Sequence, residues 1–286
     1  MNILCISRSS QYSPNMADND SAIFASVCSE LTNMGNSVAT ISETDMVGYD
    51  YTPYQRILTM ARDTFSLVML EKETSTEVQS RFINSIDGIL RATNKAAVAS
   101  QFLEAGIPQP EFIAGKGKEI LICSAESPSA ITVPLWLKNC DGSATIAEDT
   151  TFCSTNQDFQ NAFDSFASRN IQMWIAQTHL PGDLVKFYGV EGTDFFDWDY
   201  ASKGHSKFGH EAINGKEHGF SFSAQRLKYY ADKAAKVLNT PIYGGDAIID
   251  SEGNFYIIDF NDFPSFSRCR NQAAKAIAQK VVQTNP

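Results

Sequence analysis

Two apolar runs near the end of the chain, 242–249 and 255–260, flank the polar residues Ser251-Glu252-Gly253-Asn254. That arrangement predicts a β-hairpin. If those residues form the loop, Asp250 faces Phe255, and counting back along both arms sets Asp246 opposite Asp259. Asn261 then shares the face of Asp259, because strand side chains alternate. Carboxylates facing each other at roughly 5 Å repel and destabilise the pair. Either water screens them or something positive sits between them, and Mg²⁺ suits carboxylate and amide oxygens. A slip of one residue sends Asp246 to the opposite face. The two acids would then be unrelated surface aspartates on a solvated hairpin.

The other end of the chain asks for a different sheet. Residues 2–6 read as a buried strand, followed by the polar run 7–20. Ile23, Phe24, Val27, Cys28, Leu31 and Met34 then fall on one helical face that stops at Gly35, and 38–41 reads as the next strand. This β-loop-α-β order suggests a parallel sheet, with ligand loops at the carboxyl ends of its strands, where 7–20 lies. Further strands are expected at 56–60, 82–83, 120–122, 134–138, 173–177 and 184–190. Helices are expected up to about 80 and over 95–105, 158–168, 226–238 and 268–282. The aromatic and polar stretch 191–223 shows no clear period.

A chain of 286 residues exceeds one average domain and can bury a large core without metal or disulfide staples. Its net charge of -10 argues against nucleic acid and anionic membranes as main partners. Cysteines 5, 28, 123, 140, 153 and 269 form no CxxC pair and are expected as reduced, mostly buried thiols. The apolar start is too short for a signal peptide, and no run approaches the ~20 apolar residues of a membrane helix. The expectation is a soluble protein of the cytoplasm.

Gly244-Gly245-Asp246-Ala247-Ile248-Ile249, a turn, and Ile257-Ile258-Asp259-Phe260-Asn261-Asp262-Phe263-Pro264 resemble the closing motif of the ATP-grasp enzymes. In that family two acidic residues and an asparagine hold the Mg²⁺ ions on the nucleotide, two as a rule. Carried over singly, these are Asp246, Asp259 and Asn261. Phe82-Ile83-Asn84-Ser85, Asn94-Lys95 and Gly106-Ile107-Pro108-Gln109-Pro110 are similar to the start of the family's central domain. The resemblance implies that Lys95 and Lys138, the latter in Pro134-Leu135-Trp136-Leu137-Lys138, bind ATP phosphates. It makes Gln177, Thr178, His179 and Leu180 the hinge at the adenine edge, and Asp183 a ribose contact. Lys186 becomes the basic, catalytic residue aimed at the transferred phosphoryl group. Arg268 and Arg270 follow the metal motif and are candidates to meet an anionic substrate, Arg268 in a catalytic part. The segment 139–144 holds one glycine where relatives often carry a glycine-rich flap, and Thr178 stands where an acidic residue is common. A Walker motif is absent.

The expected fold is therefore α/β and α+β, of ATP-grasp architecture. A parallel-sheet domain spans 1–92, a small α+β lid 93–174, and a larger α+β lobe 175–286, with ATP between the last two. The leading expectation is an ADP-forming carboxylate ligase acting on a small-molecule or peptide acceptor. Two features lean toward a hydroxyl kinase like the inositol polyphosphate kinases. These are Asp259, where ligases usually have glutamate, and Val185-Lys186-Phe187-Tyr188. A nucleotide-binding protein without turnover is the third reading. Acceptor contacts are expected from the N-terminal loop and from 191–223, including Lys203, His205, Ser206, Lys207 and Phe208. A homo-oligomer is compatible with these features.

Overall fold

The computed structural model describes residues 1–12, 16–140, 146–201 and 213–283. The N-terminal sheet is parallel, in the order β2-β1-β3-β4, from β1 (Asn2–Ser7), β2 (Ser37–Ser42), β3 (Arg56–Thr59) and β4 (Phe82–Ile83). Its first crossover is α1 (Ala17–Asn33), which buries Ile23, Val27 and Leu31 at helical spacing. The chain leaves α1 through Gly35 at φ +81°, a conformation that favours glycine. The helix expected up to residue 80 is two, α2 (Thr64–Glu73) and α3 (Thr76–Gln79). Ser75 caps the second through the backbone N–H of Val78.

Beyond β4, α4 (Ile86–Ala92) and α5 (Lys95–Glu104) lead into a five-stranded antiparallel sheet, β6-β5-β9-β7-β8. Its strands are β5 (Phe112–Lys116), β6 (Glu119–Cys123), β7 (Leu135–Asn139), β8 (Thr150–Cys153) and β9 (Met173–Thr178). The helix α6 (Asn156–Ser168) starts at a capping box in which Thr155 and Asp158 satisfy each other's backbone N–H. Its Ala162 and Phe166 pack on Leu135, Leu137 and Trp174.

The last sheet, β11-β10-β12-β13, is antiparallel, from β10 (Asp183–Val190), β11 (Phe196–Tyr200), β12 (Ile242–Ile249) and β13 (Phe255–Asp262). The helix α7 (Ala224–Leu238) lays Leu227, Ala231, Ala235 and Leu238 against it, and Phe102 of α5 joins the same core. The final helix, α8 (Arg270–Gln283), returns to the N-terminal sheet. Its Ala273, Ala274, Ile277 and Val281 pack with Ile3, Ile23, Val27 and Leu31 in one buried cluster. Each of its Ile, Val and Leu side chains contributes about 1.5–3 kcal/mol on burial. No helix among the described residues is long and apolar enough to cross a membrane.

The hairpin register differs from the sequence expectation in an instructive way. Ile249, not Asp250, pairs with Phe255, so the turn is one residue longer than Ser251 to Asn254. A β-bulge then takes up the difference: Ala247 pairs with Ile257 and Asp246 with Asp259, leaving Ile258 as the extra residue. Asp246 does face Asp259, but only because of the bulge.

Candidate active site

β10, β12 and β13 lie side by side, so Lys186, Asp246 and Asp259 form a row across three strands. Lys186 Nζ approaches Asp246 Oδ1 at 3.4 Å. Asn94 caps α5 by accepting from the backbone N–H of Ala97, and this fixes Lys95 as the first residue of the helix. From there Lys95 Nζ reaches Asp259 Oδ1 at 2.5 Å, while Asn261 Nδ2 donates to Asp259 Oδ2 at 2.8 Å. Lys138 comes from β7 and donates to the carbonyl of Ile258 at 2.9 Å. A bulged residue leaves the strand ladder, and here its carbonyl is taken up by a lysine. The positive charge that facing carboxylates require is thus supplied by the protein's own side chains.

These groups set one another's protonation. Burial alone would raise the Asp259 carboxyl, yet Lys95 and Lys138 overcome it and hold it well below the usual carboxylate range. Burial would likewise lower Lys95, but Asp259 outweighs it and its pKa rises. Lys138 goes the other way: burial and the neighbouring Lys95 push it down to about 8. In the folded chain Lys138 gives up its proton before the unfolded chain would. Its burial cost is therefore complete below pH 8 and is relieved as pH rises from there toward 10.5.

All of these residues line one cavity of about 380 Å³. Gln177, Thr178, His179 and Leu180 border it where β9 leaves its sheet. There Trp136 Nε1 donates to His179 Nδ1 at 3.1 Å, and burial lowers the imidazole pKa. His179 is therefore neutral near pH 7, with its proton on Nε2.

Two sequence expectations are corrected. Asp183 is not on the cavity wall: its side chain is fully buried. Its oxygens accept from the backbone N–H groups of His218, Gly219 and Phe220 at 2.6, 2.8 and 2.8 Å. It anchors that segment to the start of β10, and no oxygen remains for a ribose. Arg268 is also off the cavity wall. Its Nε pairs with Asp197 at 2.9 Å and its Nη1 with Asp199, both on β11. Arg270, the other candidate, donates to Asn19 Oδ1 at 2.9 Å. The flap residues 141–145 and the acceptor candidates Lys203, His205, Ser206, Lys207 and Phe208 lie outside the described residues.

The far wall comes from the N-terminal part of the chain, through Arg8 and Tyr12 after β1, Asp20 on α1 and Arg62 after β3. Arg8 donates to the carbonyls of Met60 and Phe263 and pairs with Asp20, each at 3.0 Å. Arg62 pairs with Asp262 at 2.8 Å. Buried Glu43 accepts from the backbone N–H groups of Ser9, Arg62 and Asp63 and sets both loops. Neither arginine was singled out from sequence. The available signal was a basic residue just past the carboxyl end of β1 and of β3, where parallel sheets put ligand contacts.

No protein-family model matches the sequence, and no curated protein matches it. Solved structures do. A D-alanine–D-alanine ligase from Bacillus anthracis, solved in complex with ATP, superposes with a TM-score of 0.67 at 12% identity. The match covers 99% of this chain and 98% of that one. A RimK domain ATP-grasp protein from Sphaerobacter thermophilus gives a TM-score of 0.64 at 12% identity, over 99% of this chain and 100% of that one. At this identity the likeness is one of fold.

Proposed function

We propose that this chain, whose fold is the ATP-grasp fold, binds Mg-ATP between its two antiparallel sheets and uses it as an ADP-forming carboxylate ligase. The observation that carries this reading is the meeting of three lysines, two facing carboxylates and an asparagine in one cavity. Each lysine arrives from a different element: Lys95 from α5, Lys138 from β7 and Lys186 from β10. Phosphoryl transfer depends chiefly on positioning and on neutralising charge over the phosphate oxygens. Three convergent ammonium groups serve that need.

The donor set fits a hard divalent cation: carboxylate oxygens of Asp246 and Asp259, and the amide oxygen of Asn261. Magnesium bound there would supply further neutralisation of the phosphates. Lys95 and Lys186 would exchange their carboxylate partners for phosphate oxygens. An acceptor carboxylate entering from the side of Arg8 and Arg62 would attack the γ-phosphorus as ADP leaves. An amine or thiol would then displace phosphate from the acylphosphate. A hydroxyl kinase is the second reading, favoured by Asp259 in place of the glutamate usual in ligases.

Calorimetric titration with ATP, with and without Mg²⁺, tests the site. Binding strengthened by magnesium is expected, and no binding in either condition would end the proposal. Product analysis over an acceptor screen then separates the two chemistries. A ligase needs two acceptors and releases phosphate in step with ADP, whereas a kinase keeps the phosphoryl group in its product.

The depressed pKa of Lys138, about 8, adds a pH signature. A triphosphate favours the charged amine, so ATP binding near pH 8 is expected to take up a proton. Affinity is expected to fall as pH rises through that value. Calorimetry in buffers of different ionisation enthalpy reads the uptake directly. Lys138→Arg, which stays charged, is expected to abolish it. Equal uptake in the variant would assign the proton to another group.

A further inference from the structure

Thr178 lines the cavity where β9 ends, and a hydroxyl both donates and accepts, so it does not discriminate between bases. His179, with Nδ1 occupied by Trp136, presents an N–H donor, which the N7 acceptor of any purine satisfies. A third polar group stands at the same place. Asn214 lines the cavity and donates from Nδ2 to the carbonyl of Leu180 at 3.2 Å. A carbonyl only accepts, so the amide nitrogen must face Leu180 and Oδ1 must turn away from it. Oδ1 forms no hydrogen bond among the described residues. Asn214 is also well placed to hold this orientation. Four residues on, the segment is tied to β10 by the three backbone bonds to Asp183. Leu184 and Ile248 supply apolar wall nearby.

We propose that Asn214 is the residue that selects the nucleobase. Its Oδ1 accepts from the 6-amino group of adenine and opposes the 6-oxo group of hypoxanthine or guanine. The assignment rests on the nucleotide reading given above, and the test keeps the two apart. ATP and inosine triphosphate, which differ in the 6-substituent, are titrated in excess Mg²⁺ into the full chain and its Asn214→Ala variant. The unaltered chain is expected to prefer ATP. The variant is expected to lose about tenfold in ATP affinity, the scale of one hydrogen bond. Its affinity for inosine triphosphate should be unchanged or improved. Equal losses for both nucleotides, or no loss for either, would overturn the assignment and leave the ATP site standing. Failure of the unaltered chain to bind either nucleotide would remove the site itself. Asn214 is half-exposed, so the substitution does not threaten the fold.

Discussion

Asp259→Asn is expected to lower ADP release by on the order of 10²–10³, the usual loss for one preorganised charge contact. It should also remove most of the magnesium-dependent part of ATP affinity. The substitution keeps the shape of the side chain and deletes its charge, which Lys95 meets at 2.5 Å and which pulls on Lys138 from nearby. Both lysines then sit closer to uncompensated positive charge, so their proton affinities should fall. Stability should suffer less than activity. The Lys95 and Asp259 side chains keep 23% and 27% of their exposure, so water screens what is left behind, and the cost stays at about 1–2 kcal/mol. ADP release within threefold of the parent, measured beside a matched thermal melt, would show that Asp259 takes no part in turnover.

Asn84→Ala is expected to damage the fold severely, at about 3 kcal/mol. Asn84 is fully buried, and its side chain acts as a short piece of strand. Oδ1 accepts from the backbone N–H of Ile242, and Nδ2 donates to the carbonyl of the same residue, each at 2.9 Å. These bonds tie the end of the parallel sheet to the start of β12. Alanine leaves the Ile242 N–H buried without a partner, at roughly 1–3 kcal/mol. Asn84 also sits at φ +57°, where a residue with a plain Cβ costs a further ~1 kcal/mol. Urea denaturation measures the sum, and Asn84→Gly separates its parts by relieving the backbone alone. A loss under 1 kcal/mol for the alanine variant would contradict this account.

Much of this fold was legible because periodicity and punctuation agree. The spacing of Ile23, Val27 and Leu31, the stop at Gly35, and the polar turn between β12 and β13 each carry one message. What stayed hidden had mixed signals. β5 follows Pro108 and Pro110, and Gly115 interrupts its apolar run, so loop cues masked the strand. β11 alternates Phe196, Asp197, Trp198, Asp199 and Tyr200, but with both faces half-buried the contrast that marks a strand is weak. In the site, Lys95, Lys138 and Lys186 could be named from local motifs because each sits at a fixed place on its element. Asp183 and Arg268 could not be assigned, because their partners on the 218–220 segment and on β11 are matters of tertiary packing. Asn214 was missed for the same reason. Nothing in its neighbours announces a bond to Leu180.

The bulge at Ile258 has a consequence for how this site can change over generations. Remove that one codon and the strand reads Phe255, Tyr256, Ile257, Asp259, Phe260, Asn261, an unbroken alternation. Both flanking pairs, Ala247 with Ile257 and Asp246 with Asp259, could persist. The hairpin does not need the extra residue in order to form, but Lys138 donates its hydrogen bond to that residue's carbonyl. One in-frame deletion or insertion could therefore re-seat the lysine while leaving the facing acids where they are. Heredity has here a handle on where a buried amine is held that is separate from the scaffold carrying it.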